Sequence, residues 1–277
     1  GVRRGFAAGI DPCNRRRGCG QRQRVRTMPR SAQLRCRLLA CSVLAASVLL
    51  AGASFANPIE DCANAADPDE AVAGCSLIID STWASDEQLV QAYNNRANAR
   101  TLRGQMDGAI DDYSRALALA PNYVNARYNR GSLHLELGKL DPAIADFDEV
   151  LKLDPHRADA VNNRALALLK AERYDEAISG FSVALRFDPT NAYAYNNRGV
   201  AWRRKQELAR AIADFGAAID LLPEYAGALN NRGEVYLQEN RRDRAAADFR
   251  RALAIDPHHA AARRNLDFLS DRSTTRR

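Results

Sequence analysis

The sequence predicts an all-α solenoid, a stack of antiparallel helix pairs, and two recurring residues indicate that class. An Arg recurs every 34 residues through five consecutive units, and a Pro recurs at the same interval near the end of each unit. Because Pro stops a helix, this period indicates one helical hairpin per unit, each packed on its neighbours. The arginines are Arg96, Arg130, Arg164, Arg198 and Arg232, and the prolines are Pro121, Pro155, Pro189, Pro223 and Pro257.

Aligning the arginines defines repeats 1 to 5, which are residues 90–123, 124–157, 158–191, 192–225 and 226–259. Position 8 of every repeat is Ala or Gly and position 20 is always Ala, so the two helices can approach closely at these positions. Position 24 is always aromatic, and we expect its ring to fill the space beside the crossing. The aromatic residues are Tyr113, Phe147, Phe181, Phe215 and Phe249.

The boundaries of the second helix of each repeat also have candidate signals. Asp141 and Asp175 are expected to be N-cap residues, with Pro142 in the first turn of its helix. The turn between the two helices is expected at residues that tolerate a left-handed backbone. These are Gly104, Gly138 and Asn240.

Taken together, the small, aromatic and Pro positions resemble the tetratricopeptide repeat family over Val90 to His259. The resemblance implies a right-handed superhelix in which the first helix of each repeat lines a concave groove. The sequence departs from the family pattern at position 7, where Arg replaces a large apolar residue. It departs again at position 4, where only Tyr93 and Tyr195 are aromatic.

Both ends of the array need a segment that covers the last repeat. Residues 260–269 are expected to form a C-terminal capping helix, and residues 270–277 a disordered tail. Residues 57–89 are expected to form a degenerate N-terminal helical hairpin. Its alignment with the repeats places Cys75 at position 24 and Cys62 at position 11, which face each other, so we predict a disulfide; two unpaired thiols are the alternative.

Residues 28–56 have the layout of a secretory signal peptide: basic residues, an apolar run from Leu38 to Ala51, then small residues that end at Ala56. The apolar run is shorter than the ~20 residues of a membrane-spanning helix. We therefore expect export to the periplasm of a bacterium, or secretion, with no stable membrane anchor after cleavage. An uncleaved interfacial helix is the alternative. Residues 1–27 are interpreted as upstream translated sequence, or else as a disordered basic arm.

The net charge of +6 is concentrated in this leader. Residues 1–56 hold eleven basic side chains and one acidic side chain. Residues 57–277 hold 29 basic and 33 acidic side chains, so their net charge is 29 − 33 = −4. A mildly acidic mature chain argues against a nucleic acid partner.

Asparagine recurs at two adjacent positions of the first helix. An amide donates and accepts hydrogen bonds, so a row of amides can bind the main chain of an extended peptide, as in some members of the family. We interpret both rows as candidate groove residues; bracing between neighbouring helices is the alternative. Position 6 has Asn95, Asn129, Asn163, Asn197 and Asn231, and position 5 has Asn94, Asn162, Asn196 and Asn230.

The Arg at position 7 is expected to face the adjoining helices. Four repeats carry Asp at position 23, and Gly180 is the exception. Arg pairs readily with carboxylates, so we predict a bracket from repeat to repeat, with ligand contact as the alternative. The aspartates are Asp112, Asp146, Asp214 and Asp248.

Motifs for catalysis, phosphate binding or metal binding are not found in the sequence. His258 and His259 are interpreted as solvated turn residues. We therefore expect no catalytic residue, no metal and no cofactor. The favoured function is a non-catalytic protein–protein interaction scaffold of the bacterial cell envelope that holds an extended partner segment in its groove. A structural or assembly component that docks through its edges or convex face is second, and the substrate-binding part of an enzyme is third.

Overall fold

The computed structural model describes residues 57–64 and 66–274, which form thirteen α-helices and no β-strand. None of these helices is both long and apolar enough to cross a bilayer. The leader predicted within residues 1–56 lies outside the described residues. The helices are α1 Pro58–Ala63, α2 Pro68–Ile79, α3 Asp86–Leu102, α4 Met106–Leu119, α5 Val124–Glu136, α6 Leu140–Leu153, α7 Ala158–Lys170, α8 Tyr174–Phe187, α9 Ala192–Arg204, α10 Leu208–Leu221, α11 Ala226–Gln238, α12 Arg242–Ile255 and α13 Ala260–Thr274.

The described helices form the all-α solenoid that the sequence predicts. Each repeat contributes one helix pair, from α3 and α4 in repeat 1 to α11 and α12 in repeat 5, and each second helix also packs on the next pair. The first helices of consecutive repeats approach within 8 Å between Cα atoms, whereas no such approach is found between consecutive second helices of the described chain. The first helices therefore lie on the inner side of the curve, and open gaps separate the second helices on the outer side.

The aromatic ring at position 24 is the centre of each repeat. All four Phe rings are fully buried and Tyr113 is 2% exposed. The small residue at position 8 makes room for the ring, since a Cβ added to Gly199 would lie 2.8 Å from the ring of Phe215. Repeats 1 and 3 place Ala97 and Ala165 at this position, also fully buried. The repeated small and aromatic positions are therefore a packing pair.

The turn between the two helices is left-handed in every repeat, always at position 15. The backbone φ values are 73° at Gly104, 71° at Gly138 and 57° at Asn240, in agreement with the sequence-based expectation. Glu172 and Gln206 adopt the same conformation, with φ of 59° and 63°. The sequence does not indicate these two, because neither residue type favours positive φ.

The predicted N-caps of the second helices are wrong by two residues. Helix α6 begins at Leu140 after the N-cap Lys139, and α8 begins at Tyr174 after the N-cap Arg173. Asp141 and Asp175 therefore lie within the first turn. Their carboxylates are still attracted to the positive end of the helix dipole there, which explains why Asp occurs near the start of these helices.

The ends of the array differ in how they are closed. At the N-terminal end, α1 and α2 form a short hairpin in which Cys62 and Cys75 are joined by a disulfide, with their Cα atoms 4.5 Å apart. At the C-terminal end, α13 continues to Thr274, so the predicted helix end at 269 is too early and residues 270–274 are helical instead of disordered. Residues 260–274 contain no Gly or Pro, so the sequence has no signal that would end the helix at 269.

Candidate functional site: the inner face of the superhelix

The inner face is built from the first helices, and the asparagines of position 6 lie where consecutive first helices meet. All five are half-buried. In repeats 2, 3 and 5 the side-chain amide nitrogen donates a hydrogen bond to the position-5 side chain of the preceding repeat, 35 residues earlier. We call this series the amide ladder. It shows that three of the five asparagines brace the neighbouring repeat.

The amide ladder has four rungs, and the last one extends to the capping helix. The donor and acceptor atoms are 2.9 to 3.5 Å apart. The rungs are Asn129 to Asn94, Asn163 to the hydroxyl of Tyr128, Asn231 to Asn196, and Asn265 of α13 to Asn230. Asn129 also donates to Asn98, which in turn accepts a hydrogen bond from the hydroxyl of Tyr113. Tyr128, Asn98 and Asn265 are missed by the sequence reasoning, although Asn265 continues the 34-residue interval.

The two asparagine rows differ in accessibility. At position 5, Asn94, Asn196 and Asn230 are only 6%, 7% and 4% exposed. Asn162 is half-buried, and its Oδ1 atom is buried without a hydrogen-bond partner. The structure thus places position 5 in the helix interface, where Asn94, Asn196 and Asn230 accept the hydrogen bonds of the ladder, and leaves little of its surface open to a ligand.

Each asparagine at position 6 has a side-chain polar atom that forms no hydrogen bond with a described residue. Asn129, Asn163 and Asn231 use the amide nitrogen within the ladder, and their Oδ1 atoms accept no hydrogen bond from a described residue. Asn95 and Asn197 show the converse, because their Oδ1 atoms accept from Asn94 and Asn196 respectively. The five asparagines therefore offer acceptors in three repeats and donors in two.

The charge of the inner face is mixed, and the half-buried Glu234 is paired with Arg203. Burial acts to raise the pKa of Glu234, but hydrogen bonds from Arg203, Asn230 and Asn265 outweigh burial and hold the pKa below its ordinary value. Glu234 is therefore ionised and paired at neutral pH. Tyr113, behind this surface, has its pKa raised to about 12 by burial and stays neutral. The inner face has no strong field of either sign.

The arginines of position 7 lie between helices of two repeats. In repeat 4, Arg198 donates from Nε and one terminal nitrogen to both oxygens of Asp214, at 2.8 Å each, and from the other terminal nitrogen to the hydroxyl of Ser182, at 3.0 Å. Arg96 and Arg130 make the same three contacts, to Asp112 with Ser76 and to Asp146 with Ser114. Arg232 pairs with both oxygens of Asp248.

This geometry corrects the predicted bracket. Each Asp at position 23 lies in the same repeat as its Arg, 16 residues later, so the ion pair joins the two helices of one repeat. The contact between repeats is made by position 25 of the preceding repeat, which is Ser76, Ser114 or Ser182. The sequence reasoning missed this serine, although it precedes Arg130 and Arg198 by 16 residues each.

Repeat 3 is the exception, because Gly180 replaces the carboxylate. There Arg164 turns to the preceding repeat, where its Nε atom donates to Asp148 at 2.5 Å. Asp148 occupies position 25, the place of the serines. A Cβ added to Gly180 would lie 2.8 Å from the Cβ atom of Ala165, so an Asp at residue 180 would not fit without a shift. In repeat 3 the carboxylate that pairs with the Arg therefore comes from the preceding repeat, at Asp148.

Among residues 57–64 and 66–274, no cluster of three or more His, Cys, Asp or Glu side chains is arranged to hold a metal ion. His258 and His259 lie in the turn before α13, where His259 accepts a hydrogen bond from the backbone of Ala262. The described geometry therefore presents hydrogen-bonding amides and ion pairs between helices as its main polar features.

Comparison with family models gives three matches, and all three lie within the five repeats. Models described as "Tetratricopeptide repeat" match residues 128–192 and 226–259, and one described as "TPR repeat" matches residues 97–138. No curated protein matches the sequence.

Solved structures of low identity share the fold. A structure of MamA from residue 41 to the end, from Desulfovibrio magneticus RS-1, aligns with a TM-score of 0.59 at 24% identity, over 62% of this chain and 97% of the solved chain. TTC0263 from Thermus thermophilus has a TM-score of 0.52 at 22% identity, over 65% and 98%. YrrB, described as a TPR protein with an unusual peptide-binding site, has a TM-score of 0.54 at 23% identity, over 62% and 88%.

Proposed function

Because this chain belongs to the tetratricopeptide repeat family, we propose that it is a non-catalytic interaction scaffold of the bacterial cell envelope whose inner face holds an extended segment of a partner protein. The observation that carries the proposal is the row of half-exposed position-6 amides. Three of them leave an acceptor free and two leave a donor free. A peptide main chain supplies both complementary groups at every residue.

The spacing of the row suits an extended chain. Packed helices lie roughly 8–10 Å apart, so neighbouring asparagines are separated by about three residues of extended peptide at ~3.3 Å each. Five asparagines would then cover about twelve residues. Because the contacts are to the main chain and the surface has no strong field, this mode of binding tolerates many side-chain sequences. The peptide-binding site described for YrrB supports this kind of ligand for the fold.

The proposal is tested by capturing partners with the mature chain, residues 57–277, from a periplasmic extract. The variant Asn129→Ala/Asn163→Ala/Asn231→Ala removes the three free acceptors. The matched control, Arg186→Ala/Asp220→Ala, changes two exposed residues of second helices and keeps the net charge. We expect the amide variant to lose the partners that the wild type and the control retain, with all three proteins equally helical by circular dichroism. Retention of the same partners by the amide variant would reject the groove.

The envelope location is proposed from the leader and from the paired cysteines. We expect the mature chain to begin after Ala53 or Ala56, which N-terminal sequencing of the exported protein will measure. Protein from the periplasm should resist alkylation at Cys62 and Cys75 after unfolding, because an oxidising compartment maintains the disulfide. Free thiols in both positions, or a chain retained with its leader, would contradict export.

An assembly role through the outer surfaces is the second candidate. It is favoured by three large apolar side chains near the N-terminal hairpin, Ile59, Leu77 and Trp83, which are 53%, 56% and 57% exposed. Exposed apolar groups of this size are typical of contact surfaces when they cluster. If the amide variant retains its partners and Leu77→Ser/Trp83→Ser loses them, this second function replaces the first.

A further inference from the structure

We propose a second binding site, on the outer side of repeats 2 and 3, that takes an acidic side chain of a partner protein together with a neighbouring aliphatic side chain. The site is a cavity of about 430 Å³ between α6 and α8, with α7 at its base. This volume lies within the range of known ligand pockets, about 300–1,000 Å³. Apolar side chains line most of it, namely Leu151, Val161 and Val183, and Arg164 supplies its cationic group.

Arg164 is the position-7 Arg with the most unused donors. In repeats 1, 2 and 4 the guanidinium makes hydrogen bonds from all three nitrogens, two of them to an Asp of its own repeat. Arg164 makes one, from Nε to Asp148. Its two terminal nitrogens have no partner among the described residues. These two nitrogens form one edge of the planar fork, and this edge can also bind a carboxylate through two parallel hydrogen bonds.

The cavity and the unused edge have the same origin. In the other four repeats an Asp at position 23 occupies the space beside the Arg, whereas Gly180 has no side chain there. No Cα atoms of consecutive second helices come within 8 Å of each other in the described chain, and the missing side chain leaves the gap between α6 and α8 open to solvent. A carboxylate from another protein would therefore reach the terminal nitrogens of Arg164 through this gap.

The local charges allow one more carboxylate. Asp148 is 42% exposed in its side chain and accepts from only one of the three guanidinium nitrogens of Arg164. Glu176 lies on the rim, but Arg173 binds both of its oxygens at 2.7 Å, and this pair of hydrogen bonds lowers the pKa of Glu176. Arg164, Asp148, Arg173 and Glu176 sum to zero charge, and Asp141 also acts on Arg173, so a bound carboxylate would depend on direct hydrogen bonds from the two terminal nitrogens of Arg164.

The chemistry of the occupant follows from this lining. A carboxylate alone would use Arg164 and leave the apolar wall exposed to water. An aliphatic residue next to the acidic one would cover the half-buried Leu151 and Val183 and exclude water from the ion pair, which strengthens it. We therefore expect an acidic residue flanked by Val, Leu or Ile in the partner sequence.

The site is tested with a short probe, acetyl-Ala-Val-Glu-Val-Ala-amide, titrated into the mature chain while the methyl signals of Val161, Val183 and Leu151 are followed by NMR. We expect these signals to move and saturate, and the Glu→Gln probe to bind at least about tenfold more weakly, since charge-assisted hydrogen bonds exceed neutral ones. The variant Arg164→Gln should remove the difference between the two probes.

Two further variants keep the test independent of changes in Arg164 and its ion pair. Val183→Trp should fill the cavity and abolish binding, whereas Ala217→Trp, at the same position of repeat 4, should leave it unchanged. Equal binding of the Glu and Gln probes, or unchanged binding to Val183→Trp, would overturn the proposal. Binding of acetyl-Ala-Ala-Val with a free C-terminus, without binding of the Glu probe, would also overturn it, because the carboxylate source would then be a chain end.

Discussion

Single residues show how the repeats are held in register. The guanidinium of Arg198 joins three helices, because Asp214 belongs to its own repeat and Ser182 to the preceding one. The hydrogen bond to Asp214 raises the pKa of Arg198, as expected for a cation held by a carboxylate. Each such Arg therefore closes its own helix pair and also stabilises the stacking of that pair on the previous repeat.

The energetic role of this contact gives a first prediction. Asp214→Ala should lower the free energy of unfolding by about 2–3 kcal/mol, because it leaves the Arg198 guanidinium without its charged acceptor. Asp220→Ala, an exposed Asp of the same helix, should change it by less than about 0.5 kcal/mol. Urea denaturation followed by circular dichroism measures both. Equal effects of the two substitutions would contradict the structural role of Asp214.

A second prediction concerns the left-handed residue of the turn. Gln206 adopts φ of 63°, a conformation that costs a residue with a Cβ about 1–2 kcal/mol, so Gln206→Gly should raise the free energy of unfolding by about 1 kcal/mol. The reverse change at the equivalent position, Gly138→Gln, should lower it by a similar amount, since its Cβ would meet no atom within 4 Å and only the backbone matters. Thermal or urea unfolding would disprove this if the two changes had the same sign.

At the scale of helices and turns, the sequence predicted those features that recur in most repeats. Small residues at position 8, the aromatic ring at position 24 and Pro at position 32 each have a local physical cause, so the helix pairs and their boundaries follow from them to within a few residues. The first turns of the second helices and the end of α13 were placed wrongly. Asp141 and Asp175 suit either an N-cap or the first turn, so their presence alone does not determine the first helical residue.

The polar contacts were harder to predict for a related reason. Periodicity shows that an Arg at position 7 and an Asp at position 23, such as Arg198 and Asp214, occur in the same repeats. It does not show whether the ion pair forms within one repeat or between two. The pairing in repeat 3 could not be predicted from the sequence either. Asp148 replaces the carboxylate that is missing at Gly180 only because the two repeats are stacked. Likewise, the asparagine rows look equivalent in the sequence, and only packing separates the buried position 5 from the half-exposed position 6.

The N-terminal hairpin gives a third prediction. Helix α1 has six residues, too few to be stable alone, and the disulfide ties it to α2 across 13 residues of sequence. Closing a loop of this length contributes about 3 kcal/mol on the chain-entropy model. Reduction, or Cys62→Ser/Cys75→Ser, should therefore remove hydrogen-exchange protection from residues 58–79 and leave repeats 2 to 5 protected. Unchanged protection of residues 58–79 would show that the hairpin does not depend on the bond.

Over the whole molecule, curvature separates two kinds of surface. The first helices touch one another and present a continuous row of amides, whereas the second helices stand apart and leave gaps. The inner surface therefore suits a long main-chain ligand, and the outer gap at Gly180 suits one or two side chains. A single partner could use both, with an extended segment inside and an acidic side chain outside.

Recognition of the main chain by the position-6 asparagines is the central claim, and N-methylation of a bound peptide tests it most directly. A twelve-residue peptide from the captured partner would be compared with single alanine substitutions and with single N-methylated residues, using the dissociation constant for the mature chain. We predict that alanine substitutions change the constant by less than about threefold. N-methylation at the residues whose N–H groups meet Asn129, Asn163 and Asn231 should weaken binding about tenfold. Large effects of alanine together with no effect of N-methylation would contradict the claim.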